Sequence, residues 1–329
     1  MVTFQADPSG MSDAIAGMAE QLRAGERTGA EAGVELGLPA AVVMAGMGGS
    51  AMGGELLRAL VAADCPVPIT RVRGFGVPAW AGPGTLVVCT SYSGDTAETL
   101  ACAHQAHAQR AALLGVASGG ALARLAGELG FPCAIVPGGM QPRAALGYLF
   151  GAMAGAFAAC GLSAEGIAEE CAQGVEACDR DAAAELGRRL AGSVPLVYGT
   201  GPLGAVAYRW KTQFNENAKM HAFSHAFPEL GHNEIVGWEG ADGRGFAIVA
   251  LRDPDERVEI RRRIDVTLDV ARPHASVVAA VEGHGLSRTA RAFSLVATGD
   301  WVTYHAALAR GVDPTPVDAI AALKQALHE

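Results

Sequence analysis

The chain has 329 residues, half of them apolar and 18% charged, which gives enough length and burial for two ordinary domains and excludes a disordered chain. A formal net charge of -9 argues against non-specific binding to nucleic acid. Seven cysteines without a Cys-x-x-Cys pair, and a start (Asp7, Pro8, Asp13) unlike a secretion leader, predict buried thiols in a reducing cytoplasm.

Residues 11–27 carry helical spacing through Ile15, Met18 and Leu22, which predicts an N-terminal helix. Short apolar runs closed by glycine or polar residues follow at 41–45, 85–89, 111–115 and 133–136, with helical patterns between most of them, as at 53–61 and 96–109. Non-alternating strands interleaved with helices predict a parallel sheet covered on both faces. The uncharged run 144–164, with Gly151 and Gly155, raises the question of a membrane span. Its alanines and glycines are weakly hydrophobic, and the better reading is a small-residue helix buried against a sheet.

A charged, helical stretch at 163–193 links to a second half that repeats the order, with strands expected at 196–198, 246–250, 275–279 and 293–297. The loop at 46–50 corresponds to the one at 199–204, each between a strand and a helix. This self-similarity predicts two copies of one α/β unit related by pseudo-twofold symmetry, residues 1–162 with the N-terminal helix and residues 163–329 with the linker helix.

Ligands of open parallel sheets bind beyond the carboxyl ends of the strands. Two loops there have suitable chemistry. Gly46-Met47-Gly48-Gly49-Ser50 opens a helix and lets an anion approach backbone N–H groups. A dinucleotide site lacks its acidic partner, and the absence of Lys-Ser/Thr rules out a nucleoside-triphosphate loop. In Thr90-Ser91-Tyr92-Ser93-Gly94-Asp95-Thr96, hydroxyls suited to a phosphate monoester cluster without a basic side chain. The plain alternative is an N-cap, Asp95 or Thr96 satisfying the first turn of the next helix.

At these residues the chain resembles the sugar isomerase (SIS) family, whose usual loop is Ser-x-Ser-Gly-x-Thr; Asp95 stands where Asn is common. The resemblance spans both halves and implies an α/β protein of two SIS (flavodoxin-like) domains, with Gly48, Gly49, Ser50, Ser91, Ser93 and Thr96 on the phosphate. Further motifs resemble the bifunctional phosphoglucose/phosphomannose isomerases. They are Asn215-Glu216-Asn217-Ala218-Lys219, Pro228-Glu229-Leu230-Gly231-His232-Asn233-Glu234, Gln141-Pro142-Arg143, and Lys324 near the end. That family implies metal-independent, cofactor-free interconversion of glucose 6-phosphate and/or mannose 6-phosphate with fructose 6-phosphate through a cis-enediol(ate). It also implies a homodimer in which His232 enters the site from the partner subunit.

Such chemistry needs a base to move a proton between C1 and C2, and Glu216 fits, on a helix at 205–219 expected to reach the sheet's carboxyl end. The alternative is a surface glutamate paired with Lys219. A histidine side chain can both take and give a proton, so His232 suits ring opening. Thr315-Pro316-Val317-Asp318 reads as a helix start, placing Lys324 on one face with Val317, Ile320 and Leu327, either snorkelling or aimed at the ring oxygen. Arg143 is either an enediolate partner or an ordinary helix-start arginine. His221 and His225 are read as neighbours, Glu229 and Glu234 as supports for the His232 loop, and no metal-ligand triad is visible. An SIS isomerase for another sugar phosphate and a non-catalytic phosphosugar sensor remain as alternatives. The acidic balance counts against a sensor that regulates transcription, and the set Glu216, His232, Arg143 and Lys324 counts against a catalytically dead one.

Overall fold

The computed structural model describes residues 7–34, 36–240 and 243–327. Two compact units are distinguished, one of Gly17–Ala172 and the other drawn from Met1–Ala16 and Gln173–Glu329. The expected N-terminal helix is two helices, α1 (Met11–Ala16) and α2 (Met18–Gly33), parted at Gly17. In the first unit follow β1 (Ala41–Gly46), α3 (Gly48–Val61), β2 (Ile69–Val72), β3 (Thr85–Thr90), α4 (Ala97–Ala108), β4 (Ala112–Ala117), α5 (Gly120–Leu129), β5 (Cys133–Ile135) and α6 (Leu146–Ala159). α7 (Ile167–Glu176) contains the division between units. The second unit continues with α8 (Arg180–Leu190), β6 (Val194–Thr200), α9 (Pro202–Glu216), β7 (Phe223–Phe227), β8 (Phe246–Arg252), α10 (Val258–Ala271), β9 (Val277–Glu282), α11 (Arg288–Ala309) and α12 (Asp318–Ala326).

Both sheets are parallel. The first has order β2-β1-β3-β4-β5 and the second β7-β6-β8-β9, the same winding with one strand fewer. The strand order reverses on either side of β1 and of β6, so each sheet has a crevice at its carboxyl edge, between β1 and β3 and between β6 and β8.

The central strands are apolar because helices cover both faces. Val42, Val43, Leu86, Val87, Val88, Leu114 and Val116 are buried in the first sheet; Val197, Ile248, Val249 and Leu251 are buried in the second. The strand expected at 293–297 is instead the middle of α11. Ser287 caps that helix by accepting from Ala290 N–H (3.1 Å), and the segment is buried all round. A short apolar run gives no periodicity that separates a strand from a buried helix.

The uncharged run forms α6, and its chief partner is a helix, α2, whereas a sheet face was expected. Gly25, Gly29 and Gly33 on α2 face Tyr148, Ala152 and Ala156, while Gly147, Gly151 and Gly155 on α6 face Gln21, Leu22 and Glu26. A Cβ on Gly29 would overlap the Ala152 carbonyl, and one on Gly151 the Leu22 carbonyl. The two backbones touch along two reciprocal glycine stripes, which explains the small residues on that face better than a lipid environment does. Among the described residues no helix is long and apolar enough to cross a membrane.

Candidate active site

In the first unit the winding of the sheet brings the two predicted loops together beside the β1–β3 crevice. Ser50, on the first turn of α3, is 6% exposed and its Oγ accepts from Tyr92 N–H (2.9 Å). Its own hydroxyl proton therefore remains to donate. Ser91 is fully buried and organises the loop; its Oγ accepts from Gly94 N–H (3.1 Å) and Thr96 N–H (3.4 Å) and donates to Thr96 Oγ1 (2.8 Å). That donation polarises the Thr96 hydroxyl, a hydrogen-bond chain that strengthens its outward proton. Ser93 is exposed, and its Oγ accepts from Asp95 N–H (3.2 Å). Gly94 has φ +80° and lies so close to Gly119 that any Cβ would overlap the Gly119 carbonyl. Only glycine fits there.

Neither side chain considered as a cap serves α4. Thr96 stands at the N-cap position without a capping bond, and Asp95 Oδ1 accepts from Ala121 N–H (2.9 Å) at the start of α5. The Ser91 and Thr96 hydroxyls are thus organised around one another, and the loop's backbone is tied to Ser50.

Arg143 joins this group. It is 2% exposed, and its backbone lies on the first turn of α3, where a Cβ on Gly49 would come within 2.8 Å of Arg143 N. Tyr92 explains the placement: its hydroxyl donates to Pro137 O (2.9 Å) and accepts from Met140 N–H (3.2 Å), holding the loop leading to Gln141, Pro142 and Arg143. Burial pushes the Tyr92 phenol above its ordinary pKa of 10.0, so it remains a neutral donor.

In the second unit, Glu216 is the last residue of α9. That helix leaves the carboxyl end of β6 and must return to the amino end of the parallel strand β7, so Glu216 sits at the amino edge of the sheet, opposite to the expected carboxyl edge. His232 ends a 3-10 turn, Glu229–His232, that follows β7, at the carboxyl edge. A 15-residue helix spans about 22 Å, so this unit holds Glu216 and His232 at opposite edges of one sheet.

The α9 end is anchored by buried polar groups one helical turn apart. Arg209 donates to both oxygens of Asp300 (3.0 and 2.6 Å), Gln213 donates to Asp300 Oδ1 (3.0 Å), and Asn217 Nδ2 donates to Thr303 Oγ1 (3.1 Å). Lys219, with φ +52°, folds its ammonium back onto the Glu216 carbonyl (2.7 Å) and onto Pro314 O (3.1 Å). It caps the helix through the backbone, and it ties α9 to the segment leading into α12. Glu216 and Lys219 line a pocket with Val312, Pro316, Val317 and Ile320. Lys324 lies further along α12, on an exposed helix. That helix begins at Asp318, two residues later than the Thr315 cap predicted, because Asp313 Oδ1 takes Thr315 N–H (2.9 Å) into a turn.

The His232 loop is held as expected by its acids. Asn233 Nδ2 donates to Glu229 Oε1 (3.0 Å), and Glu234 accepts from the Tyr198 hydroxyl. Burial first, then the Glu234 carboxylate, drives the Tyr198 pKa far up, which keeps that bond formed. His225 accepts from its neighbouring Ala226 N–H (2.7 Å) and His221 is exposed. Among the described residues no group of three or more His, Cys, Asp or Glu is arranged to hold a metal ion.

Residues 179–327 match the profile of the bacterial phospho-glucose isomerase C-terminal SIS domain. A bifunctional phosphoglucose/phosphomannose isomerase from Caldicellulosiruptor bescii is 37% identical over 304 residues, 88% of this chain and 89% of its own. The chain belongs to the bifunctional phosphoglucose/phosphomannose isomerase family. A D-glucosamine-6-phosphate 4-epimerase from Sulfolobus acidocaldarius is also similar to this family member, 33% identical over 227 residues, 65% of this chain and 68% of its own. A solved structure of a hypothetical protein from Thermus thermophilus shares the fold, with a TM-score of 0.74 and 17% identity over 98% of this chain and 91% of its own.

In this phosphoglucose/phosphomannose isomerase family member, three groups that hold candidate residues in place have no signal in the sequence: the Tyr92 strut in the first unit, and the Lys219 cap and the Asp300 anchor in the second. Lys219 was in view as a carboxylate partner, but its left-handed backbone has no sequence signal. Asp300 is 91 residues from Arg209, and nothing local announces that pairing.

Proposed function

We propose that the protein is a metal-independent, cofactor-free aldose–ketose isomerase that interconverts glucose 6-phosphate and mannose 6-phosphate with fructose 6-phosphate. The observation carrying this reading is the hydroxyl and glycine crevice between β1 and β3, with Arg143 buried against it. Ser50, Ser93 and Thr96 donate to the phosphate with the α3 and α4 N-termini, while Ser91 fixes their geometry. Ring opening is assigned to His232, which takes the proton from O1, and to Lys324, which supplies one at the ring oxygen. Glu216 then removes the C2 proton of the aldose and returns it to C1, and Arg143 balances the charge of the enediolate. Glucose and mannose differ only at C2, so one base serves both once the C2–C3 bond turns.

The placement of Glu216 and His232 at opposite edges of one sheet supports a homodimer in which His232 serves the partner's site. The seven unpaired cysteines suit a reducing cytoplasm. Similarity to the Sulfolobus acidocaldarius epimerase supports a second reading, action on an amino-sugar phosphate.

A coupled assay with glucose 6-phosphate, mannose 6-phosphate and glucosamine 6-phosphate separates these readings. Turnover of the two hexose phosphates, unchanged by chelator, is expected; turnover of glucosamine 6-phosphate alone would overturn the first reading, and chelator-sensitive activity restored by zinc would overturn metal independence. Mixed Glu216→Gln and His232→Ala proteins should regain up to about half the activity if subunits exchange. Without rescue in proven heterodimers, the shared site fails.

A further inference from the structure

The hydroxyl loops lack a basic side chain, yet a sugar phosphate brings close to two negative charges at neutral pH. On the other flank of Ser50 lies a cluster that none of the steps above employs. Glu55, on the second turn of α3, has its side chain only 7% exposed, and arginines from three positions converge on it: Arg58 (2.7 Å), Arg71 (2.6 Å) and Arg73 (3.7 Å). Arg71 lies in the edge strand β2, paired with Met44 of β1, and Arg73 just beyond its carboxyl end. Arg71 and Arg73 line a narrow cavity with Glu55, and its remaining wall includes Gly46, Ser50 and Thr90, residues of the two phosphate loops. Counting only Arg58 and Arg71, two guanidiniums already share one carboxylate, so positive charge is in excess beside Ser50.

Burial disfavours the charged form of Glu55, but the bonds from Arg58 and Arg71 outweigh it and hold the carboxyl below its ordinary value of 4.5. The carboxylate therefore stays ionised and fixes the arginines in place. A buried ion pair is a weak source of stability compared with apolar packing of similar volume. Here it also pre-organises cations that long, solvated side chains would otherwise leave mobile.

We propose that Arg71 and Arg73, oriented by Glu55, form the cationic wall of the phosphate site and attract the substrate's phosphate dianion without touching the reacting carbons. This rests on the isomerase reading for the identity of the substrate, but not for the existence of an anion site.

The experiment measures KM for fructose 6-phosphate, kcat, and the affinity for inorganic phosphate by titration calorimetry, at low and high ionic strength. Arg71→Met/Arg73→Met should raise KM and the phosphate Kd together by about 5- to 20-fold at low salt, with kcat held within about twofold and the difference shrinking as salt screens it. Glu55→Gln decides between bulk charge and placed charge. It makes the protein more positive, so bulk attraction predicts tighter phosphate binding, whereas disordered arginines predict weaker binding, the expected result. Unchanged KM and phosphate Kd in the folded double variant would overturn the proposal, as would tighter binding in Glu55→Gln. Should the double variant fail to fold, Arg73→Gln alone carries the same test, and an unchanged phosphate Kd again counts against the wall. If wild-type protein turns over no hexose phosphate but its phosphate affinity depends on the arginines, the isomerase reading fails and the anion site stands.

Discussion

The two units wind their sheets in the same order and so make two equivalent crevices, yet they fill them with different chemistry. Between β1 and β3 the lining is glycine and hydroxyl, organised by Ser91, Thr96 and Ser50. Between β6 and β8 the crevice is lined by Thr200, Gly201, Asp253, Asp255, Arg288 and Arg291, and Arg291 spends its donors on Asp253 (2.9 Å) and Asp255 (2.7 Å). Topology supplies a place for a ligand twice over. Side chains then give the two places different linings, hydroxyls and glycines in the first and paired charges in the second. The second unit ends α9 at Glu216 on its opposite edge and carries His232 on the turn after β7.

The largest test of that division is Glu216→Gln. It should lower kcat by about 10³-fold, within the usual range for a lost general base, while fructose 6-phosphate still binds with near wild-type affinity. Equal loss of binding and turnover would place Glu216 in the wrong role.

Next comes the anchor behind it. Asp300→Asn leaves Arg209 buried without its counter-charge and should cost about 3–5 kcal/mol in chemical denaturation of the second unit. Thr303→Val, which removes one hydrogen-bond partner of Asn217, should cost only about 1–2 kcal/mol and lower kcat more than it raises KM.

The crevices themselves are compared by Ser50→Ala and Asp255→Asn. Losing one hydroxyl donor to a phosphate is worth about 1.5–3 kcal/mol, so Ser50→Ala should raise KM roughly 10- to 150-fold. Asp255→Asn, in the second crevice, should leave KM within about twofold; a large rise would show that both crevices serve the substrate.

The smallest effect is one of pH. Because the Glu55 carboxyl titrates below 4.5 when folded, its contribution to stability is complete above that value and disappears as pH falls through the folded pKa. Glu55→Gln should flatten the acid limb of the first unit's stability curve and leave the neutral region less changed.

Much of the fold could be read from composition and period. The runs at 41–45, 85–89, 111–115 and 133–136 became β1, β3, β4 and β5; the first three are buried on both faces and so must be continuously apolar, and the edge strand β5 is apolar although Ile135 is exposed. The strands missed, β2 and β7, are both sheet edges. An edge has one open side and tolerates Thr70 and Arg71 in β2, or Ser224 and His225 in β7, which hides it from an apolar-run criterion. The segment 293–297 misled for the converse reason: a helix apolar on all sides has no amphipathic period. Within the site, the Ser91–Thr96 loop was legible because its members are neighbours in sequence and act on one another.

What the sequence by itself determined was the chemistry available: a loop of hydroxyls and glycines, a carboxylate and a histidine in one short stretch, and a repeated α/β pattern to carry them. What only the tertiary structure decided was which of those groups stand together. Glu216 and His232 are close in the chain, and proximity alone would put them in one place. A helix crossover followed by a parallel strand sends them to opposite edges, because parallel pairing forces the chain to travel the length of the sheet before each new strand. The same geometry carries Arg71 and Arg73 to the flank of Ser50, and Asp300 to Arg209, through contacts that no local spacing encodes.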